Sequence, residues 1–327
     1  MRTRGVIFCP APILFWLGQG RLPMKPPYAK PALPIADQIN KLIGFGMTVA
    51  DRPLAEHCLQ HISYYRLSAY WLPFENTKGN AGPRFKPGTT LESVLALYDF
   101  DRQLRLLVLD AIERIEVAVR GSWAYQMAML GGAFGYVDAA HYADANKFNR
   151  NCQTLDREVS RSKDTFIRHY KAKYSGPARP PVWMAAELLS FGLLSQWYAA
   201  LKEPKVRQSI AAPFDIDERI FVTFVHQLAI VRNICAHHSR LWNRVLDVAF
   251  TLPKKHPVDL VTALNRQEPR HVYNTFAMLQ FLLSKADPAN DWGRRLFALM
   301  GTLPAGRAAE MGFPADWTDF KIWGGAK

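Results

Sequence analysis

Residues 91–129 constrain the fold more than any other part of the chain. Over about forty positions the apolar side chains recur at the spacing of one helix face. Pairs of opposite charge four residues apart, such as Asp110 and Arg114, support a helix from its other faces. Just upstream, Thr89 and Glu92 fit a capping box, with Thr89 as the N-cap. The segment therefore predicts one long helix.

Most of the remaining chain shows the same helical spacing. Asp51 followed by Pro53 predicts the start of a helix. No segment alternates apolar and polar residues over more than a few positions, so we predict an all-α fold. The other predicted helices lie at residues 34–44, 155–174, 182–201, 205–210, 220–250, 258–264, 270–285 and 292–300.

The composition is that of a globular protein with a basic surface. Of the 327 residues, 49% are hydrophobic, and the formal net charge is +13. This excess indicates a polyanionic partner, nucleic acid before membrane, with an incidentally basic soluble protein as the alternative. Four widely spaced cysteines without a C-x-x-C pair fit the reducing cytoplasm. No run reaches the roughly 18 apolar residues of a membrane span, so we expect no membrane contact.

The two ends of the chain differ from its centre. Residues 1–23 combine a basic start with an apolar middle, as a signal peptide does, but Pro10 and Pro12 interrupt them. We expect an over-extended start or a disordered tail there. The main helical domain is predicted at residues 24–252, with a C-terminal helical extension packed on it at residues 253–327.

The densest group of ionisable and amide side chains lies at residues 231–244, inside the helical run of residues 220–250. On a helical wheel, His238, Trp242 and Val245 project into the apolar side, and Arg232 lies on the flank of the polar side. The wheel therefore separates His238 from its neighbour. The residues that share the polar face are Asn233, His237, Arg240 and Arg244.

This polar face suits ribonuclease chemistry without a metal ion. It holds no carboxylate, and the adjacent histidines diverge too far to share a metal, so we expect no metal and no cofactor. Attack by a 2′-OH needs a group that moves protons near neutral pH, which His237 offers. It also needs a cation that stabilises the phosphorane, which arginine offers. Because one chain supplies one suitable histidine, a two-fold dimer would supply the second.

Four segments, in order along the chain, resemble a known family. The segment RNICAHHSRLWNR at residues 232–244 contains the R-x4-6-H signature of HEPN domains, in Arg232 and His237. Together the segments resemble the AbiD/AbiF-like abortive-infection (Abi) proteins, over residues 25–252. The other three are ISYYRLSAYWLPF at residues 62–74, FKPGTTLESVLALYDFDRQLRLLVLDAIERIEVAVR at residues 85–120 and PPVWMAAELLSFGLLSQWY at residues 180–198.

The resemblance implies a HEPN-like helical bundle with additional terminal helices. It also implies a homodimer with a composite active site and a metal-independent endoribonuclease used in phage defence. Arg232, Asn233 and His237 become the catalytic residues, and Ser239 stands where some HEPN proteins carry a tyrosine that accepts nucleotides. The further residues expected to bind RNA are Arg240 and Arg244, with Arg66 and Tyr65 from the aromatic segment as a stacking surface.

Three alternatives stay open from the sequence. The first is a HEPN module that binds RNA or acts as a scaffold without cleaving anything. The second is a helical structural protein whose basic charge is incidental. For the aromatic segment, the main interpretation is an ordinary core, and a stacking surface beside Arg66 is the alternative. The expected partners are RNA, a second copy of the chain and a neutralising RNA or protein.

Overall fold

The computed structural model of the chain describes residues 27–76, 82–304 and 306–324. These residues form α-helices, short 3-10 turns and four isolated β-bridges, without a sheet, so the all-α prediction is confirmed. The expected tail at residues 1–23 lies outside the described residues. The helices are α1 (Ile35–Gly44), α2 (Arg52–His61), α3 (Tyr64–Trp71), α4 (Leu91–Gly131), α5 (Ala145–Arg161), α6 (Thr165–Lys173), α7 (Val182–Leu188), α8 (Phe191–Ala200), α9 (Pro204–Ala211), α10 (Glu218–Ala236), α11 (Val258–Ala263), α12 (Val272–Ala286) and α13 (Trp292–Met300).

The long helix α4 begins one residue later than its predicted cap. Thr90 is the N-cap: its hydroxyl accepts from the backbone N–H of Ser93 at 3.1 Å, and the Ser93 hydroxyl reaches back to the N–H of Thr90. The predicted N-cap, Thr89, is buried instead and donates its hydroxyl to the carbonyl of Lys86 at 2.8 Å. The capping box is therefore formed by Thr90 and Ser93, and the prediction of Thr89 and Glu92 was wrong.

Helix α4 is the axis on which the rest of the fold packs. Helices α3, α7, α8, α9, α10, α12 and α13 all contact it. Its predicted apolar stripe is buried: Leu104, Val108, Ile115 and Val119 have no exposed surface. Each such side chain contributes about 1.5–3 kcal/mol to the free energy of unfolding. Two helices of residues 253–327, α12 and α13, thus lie against α4, while the domain boundary near residue 252 stays a prediction.

Two predicted helices are each divided in two. The segment predicted at residues 182–201 breaks at Leu189, whose backbone is extended, and Ser190 then caps α8 by accepting from the N–H of Leu193 at 3.2 Å. The segment predicted at residues 155–174 breaks in the same way between α5 and α6, at Ser162. Both breaks carry a serine, whose short hydroxyl competes with helix backbone hydrogen bonds.

Helix α10 brings the polar cluster to the centre of the fold. Asp217 is its N-cap and accepts from the backbone N–H of Arg219 at 2.9 Å. The helix packs against α4, α8 and α9. Among the described residues it is the one helix with the length and apolar composition of a membrane span, and half of that segment is buried within the protein. A core helix has the same composition, so this is weak evidence for a membrane.

Candidate functional site

The candidate site is built on the C-terminal end of α10. The helix stops at Ala236 rather than continuing towards residue 250, so that prediction was wrong. His238 adopts a left-handed backbone with φ +58°, and its N–H bonds the carbonyl of Cys235 at 3.0 Å. The N–H of Ser239 bonds the carbonyl of Ile234 at 2.9 Å. These two bonds form a Schellman motif, which closes the helix.

The helix end changes where the two histidines point. His237 is the C-cap and is exposed, as the wheel predicted. His238 is exposed as well, so its predicted place in the core was wrong. Val245 is also exposed, at 51%, whereas Trp242 is fully buried. The wheel fails beyond Ala236 because the chain there is irregular and no longer rotates by about 100° per residue.

The three proposed catalytic residues lie together at this helix end. Nη1 of Arg232 donates to Oδ1 of Asn233 at 3.3 Å, so Asn233 supports the guanidinium. The imidazole of His237 forms no hydrogen bond or ion pair within the described residues. Asn233 therefore forms no hydrogen bond with the imidazole of His237 within the described residues. The geometry offers an arginine that contacts Asn233 and, on the same helix end, an exposed histidine.

A buried carboxylate fixes the chain just after the histidines. Oδ1 of Asp101 accepts from the backbone N–H of Leu241 at 3.0 Å and of Trp242 at 2.6 Å. Oδ2 of Asp101 accepts from the hydroxyl of Tyr70 at 2.7 Å and from the guanidinium of Arg105. Asp101 has no exposed surface and Arg105 only 4%. One side chain of α4 therefore ties α3 and the segment after α10 together.

Arginine side chains connect α3 and the segment after α10, because each element donates to a backbone carbonyl of the other. Arg66 donates to the carbonyl of His238, and Arg240 donates to the carbonyl of Ala69 at 2.7 Å. Arg244 donates to the carbonyl of Arg240 at 3.2 Å. None of these three, nor Arg232, forms a salt bridge with a carboxylate in the described part of the chain. Their positive charge is therefore uncompensated where they cluster.

A cleft of about 440 Å³ opens beside this cluster, and we call it the α10 cleft. Arg66, Arg102 and His238 line it, together with His61 from the end of α2 and Leu106 of α4. The ring of Tyr65 is 88% exposed and borders a different groove with Arg84, so it does not join Arg66 in the cleft. The structure therefore brings Arg66 together with His238 in the α10 cleft, but not with Tyr65. The other predicted site residues do not line this cleft: Arg232, Asn233, His237, Arg240 and Arg244.

The rest of the aromatic segment is core, as its main interpretation predicted. Tyr70 and Trp71 are each 1% exposed, and Trp71 packs edge-on against Tyr64 and Phe85. The burial raises the pKa of the Tyr70 hydroxyl, and the adjacent Asp101 raises it further, so that it stays a hydrogen-bond donor. The segment contributes Arg66 to the cleft and otherwise stabilises the fold.

Two residues of the site were not identified from the sequence. Asp101 was assigned to a solvated, charged face, although it stands four residues after Leu97 and three before Leu104, within the apolar stripe. An acidic residue at a position of an apolar helix stripe indicates a buried carboxylate with hydrogen-bond partners. His61 carried no such signal, because it reaches the cleft only through the packing of α2. In the described residues no three His, Cys, Asp or Glu side chains are grouped as metal ligands.

Fold and site together define an all-helical protein with a cationic site at a helix end. The profile of the family described as Abi-like protein matches residues 57–243, more than half of the chain, and the chain belongs to that family. The match extends from α2 to the loop held by Asp101, so it includes Arg232, Asn233, His237 and Arg240 and ends one residue before Arg244. Membership supports a role in abortive infection. No curated protein matches the chain, and no solved structure matches it.

Proposed function

We propose that the protein is an abortive-infection effector of the AbiD/AbiF-like type that cleaves RNA as a metal-independent HEPN endoribonuclease in the cytoplasm. One observation carries the proposal: exposed His237 ends α10 between Arg232 and Arg240 in the sequence, and no carboxylate forms a salt bridge with Arg66, Arg232, Arg240 or Arg244 within the described residues. Such a cluster favours a phosphodiester, because guanidinium groups donate paired hydrogen bonds to phosphate oxygens and stay charged.

The proposed chemistry assigns one task to each residue. His237 takes the proton of the attacking 2′-OH or donates one to the 5′-oxygen that leaves. Arg232, steadied by Asn233, stabilises the negative charge of the phosphorane. Cleavage breaks the P–O5′ bond and leaves a 2′,3′-cyclic phosphate. Arg66, Arg240 and Arg244 would add charge along the RNA.

A homodimer would place a second histidine in the same site. Four exposed apolar side chains of α4 support a partner surface, and Leu106 also lines the α10 cleft. The surface thus borders the α10 cleft, which Cys235 and His238 line just beside His237 in the sequence. We call these residues the α4 surface: Leu106, Val117, Tyr125 and Met129. A neutralising RNA or protein partner stays a prediction.

The test compares wild type with Arg232→Ala and His237→Ala in cells and on purified RNA. Matched controls are Arg157→Ala and His169→Ala, which remove exposed side chains from α5 and α6. We expect wild type and both controls to arrest growth and to leave 2′,3′-cyclic phosphate ends with chelator present. Each site variant should lose about 100-fold or more of the cleavage rate. Intact RNA with wild type under every condition where it binds RNA would refute the proposal.

A non-catalytic RNA-binding or scaffold protein is the second candidate. The observation in its favour is that nothing in the described chain orients the His237 imidazole. That candidate predicts an unchanged cellular effect of His237→Ala together with a loss of RNA binding when Arg66 and Arg240 are replaced. The two candidates therefore differ in the response to one histidine.

A further inference from the structure

A second cavity lies between α5, α8 and α10, away from the α10 cleft. It encloses about 690 Å³, which is within the range of roughly 300–1,000 Å³ typical of small-molecule sites. None of the proposed catalytic residues lines it. We call it the α5 cavity, and binding of a ligand there does not depend on the proposed ribonuclease activity.

Small side chains leave the space open. Ser195, Ala199 and Ala200 of α8 form one wall, and Val222 of α10 and Ala249 form another. Larger residues at these positions would fill the cavity. The lining is therefore apolar over most of its area and has room for a flat ring system.

The polar groups of the α5 cavity have one sign of charge. Lys147 and Arg150 of α5 are exposed at its rim, and no aspartate or glutamate lines it among the described residues. Arg150 forms no salt bridge in the described chain, whereas Nζ of Lys147 forms a long salt bridge to Oδ2 of Asp144, at 3.9 Å. The rim therefore attracts an anion.

A buried amide within the cavity lacks a partner. Asn151 is 4% exposed, lines the cavity, and its Nδ2 has no hydrogen-bond acceptor within the described residues. A buried donor without a partner costs free energy, which an acceptor atom of a ligand would recover. Nδ2 itself has almost no accessible surface, so a ligand acceptor reaches it when the amide turns towards the cavity. The cavity thus combines apolar walls, a buried amide at its edge and a cationic rim.

We propose that the α5 cavity binds a nucleoside phosphate. A nucleobase is a flat heteroaromatic ring with acceptor atoms at its edge, which matches the small walls and the amide of Asn151. The phosphate carries the negative charge that Arg150 lacks within the described chain, and it would share Lys147 with Asp144. The nucleoside phosphate is either a free mononucleotide or one unit of a bound RNA strand, and the chemistry at the site is the same.

Calorimetric titration of the full chain tests the proposal, in a His237→Ala background so that cleavage plays no part. The probes are 5′-AMP, 5′-GMP, 5′-CMP, 5′-UMP and a short mixed-sequence oligoribonucleotide, with inorganic phosphate and unphosphorylated nucleosides as reference. We expect a mononucleotide or the oligonucleotide to bind more tightly than either reference. Binding of the oligonucleotide alone assigns the site to a nucleotide within a strand.

Three variants localise the binding. Arg150→Ala should raise the dissociation constant about tenfold, because a charge-assisted hydrogen bond is lost. Ala199→Phe should abolish binding by filling the space, without a change in charge. Arg157→Ala removes the same charge two turns further along α5, outside the cavity, and should leave binding unchanged.

The proposal is overturned by any of four results. The first is that neither a mononucleotide nor the oligonucleotide binds. The second is that inorganic phosphate binds as tightly as they do. The third is that Arg150→Ala and Arg157→Ala weaken binding equally. The fourth is that Ala199→Phe has no effect on binding in a protein whose thermal unfolding is normal.

Discussion

Asp101 decides the local structure of the site through four hydrogen bonds, although it faces no solvent. Two go to backbone N–H groups after the motif, and two to Tyr70 and Arg105. A buried carboxylate is tolerated only when its oxygens are satisfied and its charge is paired. Both conditions hold here, so the residue acts as a positioning group for the segment that carries His237.

Asp101→Asn should destabilise the protein by about 3–5 kcal/mol, because it leaves the buried guanidinium of Arg105 without a counter-charge. The NH₂ group of the asparagine would also face donors that now bond the carboxylate, so a hydrogen bond would be lost there. Urea unfolding followed by circular dichroism measures the change. The matched control, Asp99→Asn, lies on the same helix with its carboxylate 56% exposed and should change stability by less than about 0.5 kcal/mol. Equal losses in both variants would contradict the assigned role of Asp101.

Cys235, within the motif, should be chemically inert in the folded protein. Burial raises the pKa of its thiol to about 12, and the negative charge of Asp101 raises it in the same direction. In the unfolded chain the thiol has a pKa of about 8.5. Because the folded pKa is the higher one, the stability from this group is complete below about pH 8.5 and is lost as the pH rises towards 12.

Iodoacetamide labelling at about pH 8, read by peptide mass spectrometry, measures this inertness. We expect the peptide with Cys235 to be labelled in urea and to remain unlabelled in buffer. Rapid labelling of the native protein would mean that the end of α10 opens, since the thiol is 1% exposed in the closed form.

At the scale of elements, the end of α10 is the feature that sequence periodicity does not reveal. The apolar residues Leu241, Trp242, Leu246 and Phe250 continue at spacings that mimic a helix, and all four are buried. Their burial comes from an irregular segment that Asp101 holds against α4, not from a helix face. The spacing of apolar residues therefore predicts correctly that these side chains are in the core, but it wrongly predicts a helical backbone for them.

Two variants of His238 test the backbone at the end of α10. A left-handed residue and a continuous helix predict opposite differences in stability between them. In the Schellman motif, His238→Gly should be more stable than His238→Ala by about 1 kcal/mol, because a Cβ is costly at a left-handed position. In a continuous helix, alanine would be the more stable by about 1 kcal/mol. Thermal and urea unfolding of the two variants distinguish these cases. A more stable alanine variant would show that α10 continues past His238.

The same contrast explains how much of the fold and site was predictable. The helices around Asp51 and at residues 292–300 have clear caps or a single apolar face, and their positions were predicted closely. The breaks at Ser162 and Ser190 were not, since a serine within an apolar run is compatible with a helix until tertiary packing bends the chain. The residues of the motif were found from their chemistry, but their arrangement depends on Asp101, which lies far earlier in the chain, 140 positions before Leu241.

At the scale of the whole molecule, the α4 surface is the proposed dimer interface, and substitutions on it test whether a dimer forms there. Val117 is 57% exposed on α4, and Val258 is 56% exposed at the start of α11. If two copies meet on the α4 surface, Val117→Glu should weaken association, because a carboxylate would be buried against apolar side chains. Val258→Glu adds the same charge at an equally exposed valine and should not.

Sedimentation equilibrium over a range of concentrations measures the association. We expect at least a tenfold rise in the dimer dissociation constant for Val117→Glu, equivalent to about 1.4 kcal/mol or more. RNA cleavage should fall in parallel if the site is composite. A wild-type protein that remains monomeric, or two variants that behave alike, would exclude the α4 surface as the interface.

The backbone amides of Leu241 and Trp242 are in a loop by every local criterion, yet both donate to a carboxylate that has no contact with water. Their hydrogens can exchange with solvent only when their hydrogen bonds to Asp101 break and the loop leaves its place against α4. We therefore expect these two loop amides to exchange as slowly as amides of the core, so that the backbone just after His237 moves in rare openings of the molecule rather than in the fast motions common in loops.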